Sequence, residues 1–180
     1  MRRTLSCFLA MTFSLGALAA HGATTASKLQ LNPCKAPGLP EGARCGTYEV
    51  FENRATKSGR KIPLRVVIIP ANAPRKESDA IAYFAGGPGG SAVREGVWYT
   101  EVLRRNGPQT RDLLLVDLRG TGGSDPLDCP EMSGMEGVQG FLDHFAPADA
   151  ARACRERLGR TRDLSQYTTE NAVDDVDEVR

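Results

Sequence analysis

The stretch at residues 79–91, DAIAYFAGGPGGS, constrains this chain more than any other. An apolar run at residues 80–85 meets Gly86-Gly87-Pro88-Gly89-Gly90, and helix-compatible residues resume at Ser91. Glycines packed this closely let a backbone turn at positive φ and bring its N–H groups close to another atom with no Cβ in the way. Such a turn at the mouth of a sheet can form an anion cradle. It suits a tetrahedral oxyanion or a pyrophosphate, or it serves packing alone.

The surrounding pattern sets that turn in an α/β frame. Residues 47–53 alternate as a strand, Lys57-Ser58-Gly59 reads as a hairpin turn, and Ile62, Leu64, Val66 and Ile68 share one face of a second strand. After a solvated loop, residues 80–85 form an unpatterned apolar run of the kind buried on both faces of a parallel sheet. Val93, Val97, Trp98 and Val102 are spaced for a helix that stops at Asn106-Gly107-Pro108. Residues 112–117 give another buried strand, so strand, turn, helix and strand make a right-handed βαβ unit. A second turn cluster, RGTGGSDP at residues 119–126, leads into an irregular excursion to about residue 147. A helix is expected over residues 148–158, and Tyr167-Thr168-Thr169 opens a last one. There Ala172, Val173, Val176 and Val179 form the apolar stripe, with Asp174, Asp175, Asp177 and Glu178 on a solvated face. That stripe is unfinished at Arg180, which suggests truncation.

The first residues read differently. Arg2 and Arg3 precede an apolar run, and Ala17-Leu18-Ala19 fits a cleavage site, so residues 1–19 are expected to be a signal peptide cut near Ala19 or Ala20. Export to a periplasmic or extracellular space follows. Residues 20–46 would be a strap with a disulfide, and residues 47–180 the core. Without the two leader arginines the net charge is near −1, so nothing draws the chain to nucleic acid or an anionic membrane. Cys7 leaves with the leader, and Cys34, Cys45, Cys129 and Cys154 remain, an even set suited to an oxidising compartment. Proximity along the chain favours Cys34 with Cys45 and Cys129 with Cys154. Zinc competes poorly, because no CxxC and only two histidines occur.

Three readings of the glycine turn compete. Gly87-Pro88-Gly89-Gly90-Ser91-Ala92 fits GxGxxA, follows a strand, and is followed by a strand ending in Asp117, as in a dinucleotide fold. Against it, Pro88 removes one N–H and an exported protein has little access to NAD. In an α/β-hydrolase, the loop after the third strand gives one backbone N–H to the tetrahedral intermediate, and a hairpin precedes it. The third reading is tight packing of helix on strand.

AYFAGGPGGSA followed by RDLLLVDLRGTGGSDPLDC strongly resembles the tripeptidyl aminopeptidase and proline iminopeptidase branch of the α/β-hydrolases, which are serine exopeptidases. The resemblance runs from about Cys34 to Arg180, and the export signal with Cys129 and Cys154 looks like the secreted members. It implies that Gly87 donates an oxyanion N–H within the Gly86-Gly87-Pro88-Gly89 motif. Asp117, Arg119 and Ser124 would brace the second turn as an Asp–Arg pair and a hydroxyl. The position before the glycines, often His in iminopeptidases, is Ala85 here. It also implies that the strand at residues 80–85 lies beside an absent strand, leaving an apolar edge unpaired.

No GxSxG occurs in the chain. Ser91 and Ser124 are the serines in glycine-rich turns, while His21 lies beside the cleavage site and His144 in the excursion. The expectation is therefore the N-terminal part of an exported serine hydrolase acting on peptides, inactive by itself, with no cofactor and no metal. A secreted esterase, a non-catalytic binding module and a dinucleotide domain are the alternatives. Oligomeric state is left open.

Overall fold

A computed structural model describes residues 29–35, 37–132 and 148–180. The expected leader, the start of the strap, His21, His144 and most of the excursion lie outside the described residues.

The described chain forms a mixed five-stranded sheet flanked by three helices, an α/β architecture. Strand β1 (Asn32–Pro33) pairs antiparallel with β2 (Arg44–Phe51), which pairs antiparallel with β3 (Lys61–Ile69) from Arg44↔Ile68 to Phe51↔Lys61. Strand β5 (Asp112–Val116) lies antiparallel to β3 and parallel to β4 (Ala80–Tyr83), giving the order β1-β2-β3-β5-β4. The hairpin is longer than a tight turn at Lys57-Ser58-Gly59. The Asn53 side chain accepts from the N–H of Ala55 and Thr56, and the chain returns through Lys57 and Gly59, both at positive φ.

Alternation along β3 sorts the core onto two faces. Ile62 and Leu64, fully buried, join Val50 and pack with Tyr167 and Val179, while Val67 and Ile69 join Leu113, Leu115 and Val93. The first cluster lies under helix α3 (Thr169–Val179) and the second under α1 (Ala92–Arg105). A Cβ on Gly96 would sit 2.4 Å from the Leu115 Cδ2, so α1 approaches β5 this closely only because residue 96 has no side chain. Helix α1 starts at Ser91, whose hydroxyl accepts the Arg94 N–H, and ends at Asn106 before Gly107 at positive φ. Helix α2 (Ala148–Gly159) buries Cys154 and Leu158.

Two expectations about residues 80–85 pull in opposite directions, and the edge is what is found. Only residues 80–83 are strand, they pair on one side with β5, and Ile81 and Phe84 are 39% and 55% exposed. Strand β5 comes nearer to that pattern, with Leu113, Leu115 and Val116 buried and Leu114 half-buried. No described element covers the outer side of β4, so its apolar residues face out.

The stripe on α3 is also corrected. Ala172 is buried and Val176 and Val179 half-buried, but Val173 is 62% exposed and Asp175 is 1% exposed. The helix is turned so that Asp175 meets two arginines, and one member of the expected solvated face lies inside.

Both disulfides pair as proximity suggests, Cys34–Cys45 and Cys129–Cys154. The Cys129 and Cys154 sulfurs and a Glu131 carboxylate oxygen lie within 4.8 Å of one another, but the bridge consumes both sulfurs. Among the described residues, no helix is long and apolar enough to cross a membrane.

Candidate functional site

The glycine turn sits beyond the C-terminal end of β4 and opens on a cleft of about 540 Å³ between it, the second turn and α3. Gly87 and Gly89 have φ of 67° and 98°. A Cβ on either would meet nothing within 4 Å, so backbone conformation, not space, demands glycine there. Gly90 differs, since its Cβ would lie 2.5 Å from Glu95 and 2.6 Å from the Gly86 carbonyl. Packing therefore accounts for Gly90 and Gly96, and positive φ for Gly87 and Gly89. Their N–H groups have no acceptor among the described residues.

The second turn forms the facing wall, and Asp117 ties it to the first. The Asp117 carboxylate is fully buried, and its Oδ1 accepts from the Ser91 hydroxyl at 2.8 Å and the Val93 N–H at 3.0 Å. Its Oδ2 accepts from the Gly123 N–H at 2.8 Å. A Cβ on Gly122 would lie 2.2 Å from that Oδ2. So engaged, Asp117 has no free face for a ribose hydroxyl, which removes the acidic residue a dinucleotide reading needs.

Asp117 and Arg119 do not pair with each other. Arg119 turns inward to Asp175, with Nε 2.6 Å from Oδ2 and Nη2 2.8 Å from Oδ1, both side chains 1% exposed. Its remaining donors reach the carbonyls of Glu52, Gln166 and Phe51. All five guanidinium N–H groups are thus taken, and although Arg119 lines the cleft it offers a ligand none. Arg54 also reaches Asp175, at 2.7 Å, and bonds Glu178.

Ser124 is fully buried, donates to the Asp117 carbonyl at 2.6 Å and accepts the Arg65 N–H at 2.8 Å. Ser91 is 4% exposed and engaged with Asp117 and Arg94. Neither hydroxyl is presented to the cleft as a nucleophile would be. Gly86 and Pro88 complete the turn and line the cleft beside Phe84, Leu118, Ala172, Val173 and Val176. The cleft thus joins backbone amides without a described acceptor to an apolar wall, with no carboxylate among its described lining residues.

At one end stands a polar cluster that the sequence did not single out. The Tyr167 hydroxyl lies 3.0 Å from Glu52 Oε1 and 2.9 Å from Asp125 Oδ2, and accepts from Arg60 at 3.1 Å. With one proton it donates to one carboxylate at a time, while Arg60 bonds both carboxylates and Arg162 grips Asp125 with two N–H groups. Burial and the bonds to Asp125 and Glu52 push the Tyr167 hydroxyl well above its usual range. Burial alone would raise the Asp125 carboxyl, but bonds from Arg162, Arg60 and Tyr167 hold it below the usual carboxylate range. Asp125 sits in the RGTGGSDP cluster, and its φ of 55° is a turn signal, tolerated by Asp more than by most residues. Asp175 left a fainter trace, because 172, 175, 176 and 179 follow the i, i+3, i+4, i+7 frame of a buried face better than 173 does.

No known family model matches this chain, and no curated protein matches it.

Proposed function

We propose that this chain is the N-terminal part of an exported α/β-hydrolase, and that the glycine turn is half of the oxyanion hole of a serine aminopeptidase. One observation carries the reading: the N–H groups of Gly87 and Gly89 have no partner among the described residues and sit at the C-terminal end of a strand, over a cleft. Donors fixed by the backbone before the reaction stabilise charge as it develops, and losing one costs about 3 to 4 kcal/mol of transition-state stabilisation. The serine would attack the carbonyl of an N-terminal residue or short peptide unit. The Gly87 N–H would hold the resulting oxyanion while the leaving amine departs, and water would then release the acyl group. Ser91 and Ser124 are spent on structure, so the nucleophile, acid and base would come from polypeptide these 180 residues do not contain. The unpaired outer side of β4 supports the reading, since it is where a further strand would add. The two disulfides are compatible with export.

The lining of the cleft favours a second reading on the same fold. An aminopeptidase needs an acidic group for the substrate's free amine, and among the described residues that line the cleft there is none. A secreted esterase needs no such group.

The test is the longest open reading frame containing these residues, expressed and assayed with peptidyl amides and acyl esters. The proposal expects a GxSxG downstream, turnover lost when its serine is replaced by alanine, and no turnover by residues 1–180 alone. A requirement for a free amine separates aminopeptidase from esterase. Turnover by the isolated chain that a serine-directed phosphonate abolishes would overturn the assignment of Ser91 and Ser124.

A further inference from the structure

Independently of that reading, we infer that Arg65 forms a binding site for a small oxyanion, a carboxylate or a phosphate, on the opposite side of the second turn. Among the described residues, the other arginines that are buried or half-buried are Arg54, Arg60, Arg119 and Arg162, and each holds a carboxylate. Arg65 is half-buried and its guanidinium has no partner there. Its five guanidinium donors therefore have no acceptor among the described residues.

Its surroundings suit an anion. Arg65 lies in β3 opposite Thr47 of β2, and its aliphatic stem packs under Gly123, where a Cβ would sit 2.4 Å from Cδ. The side chain borders a cleft of about 440 Å³ lined also by Gln30, Asn32, Thr47, Gly46 and Gly123. Two residues with side-chain amides and one with a hydroxyl thus line the same cleft as this cation, and no acidic side chain is among its described lining residues. A guanidinium presents a planar fork that matches two oxygens of one anion, and amide and hydroxyl donors beside it can take the rest.

The site is wired to the second turn by its own backbone. The Arg65 N–H donates to the Ser124 hydroxyl at 2.8 Å, and the Arg65 carbonyl accepts the Asp117 N–H at 3.0 Å. The residue that carries the site is thus bonded through its backbone to the residues that tie the two glycine turns together.

The test titrates acetate and, separately, phosphate into the isotope-labelled 180-residue chain at constant ionic strength made up with chloride, following backbone amide resonances. Saturable shifts of Gly46, Thr47 and Gly123 are expected. Arg65→Gln should weaken them by about tenfold or more, and Arg65→Lys, which keeps the charge and loses the fork, should fall between. Arg104→Gln, the same charge change on exposed α1, should leave them intact. Tighter acetate identifies a carboxylate ligand and tighter phosphate a phosphorylated one. No saturable shift, or an equal effect of Arg65→Gln and Arg104→Gln, would overturn the site. Should Arg65→Gln lose its dispersed spectrum, the comparison of Arg65→Lys with wild type decides alone, and equal affinities would overturn the site.

Discussion

Asp175→Ala is the sharpest test of how this chain holds together, because sequence and structure disagree about that residue. As part of a solvated acidic face it would be silent. In the structure it neutralises Arg119, with both side chains 1% exposed, and bonds Arg54 as well. Removing one partner of a buried ion pair leaves the other charge uncompensated and costs about 3 to 5 kcal/mol. For a chain of this size each kcal/mol moves the unfolding midpoint by about 2 to 4 °C, so a drop of about 6 to 20 °C is expected by circular dichroism. Asp174→Ala is the control. Its side chain is 63% exposed and lies 3.5 Å from Arg54, so the loss should stay within about 0.5 kcal/mol. Combining Asp175→Leu with Arg119→Met should destabilise less than the sum of the two, since no charge is then stranded. Equal midpoints for Asp175→Ala and Asp174→Ala would refute the buried pair.

Three other outcomes follow from the same structure. Asp125 titrates below its ordinary value in the fold, so its contribution is present above the unfolded pKa near 3.9 and is lost as pH falls through the lower, folded value. Urea midpoints should therefore drop below about pH 4, and Asp125→Asn should flatten that drop; an unchanged acid limb would contradict the cluster. The bridges close sequence separations of 11 and 25 residues, so replacing either pair with serine should cost about 3 kcal/mol by loop entropy, read by urea unfolding, and unreduced digests should yield only the two local pairings. Ala82→Lys, which places a charge on the open β4 edge, should reduce concentration-dependent self-association in sedimentation velocity; equal sedimentation of variant and wild type would mean the edge is protected.

The parts of this structure that were legible from residue order are those where local chemistry decides. Ser91 and Asn106-Gly107-Pro108 bracket α1, Thr168 caps α3, and period-two alternation placed Ile62, Leu64 and Val66 on one face. Legibility failed where a partner far along the chain decides. Residues 80–83 and 112–116 are both short apolar strands, and only the order of the sheet makes the first an edge and the second a centre. Asp175 looked like its acidic neighbours because its partner, Arg119, lies on another turn. The glycine turn was visible as a turn, but only three-dimensional packing separates Gly90, which needs space, from Gly87 and Gly89, which need positive φ.

The central claim is that the Gly87 amide is aimed at negative charge. The most direct measurement is a crystal structure of the product of the longest reading frame containing these residues, treated with a peptidyl phosphonate. The account predicts a phosphonyl oxygen about 2.7 to 3.1 Å from the Gly87 nitrogen, with phosphorus bonded to a serine outside these residues. An adduct whose oxygen points away from the turn, or a nucleotide pyrophosphate seated on Gly87 and Gly89, would contradict it.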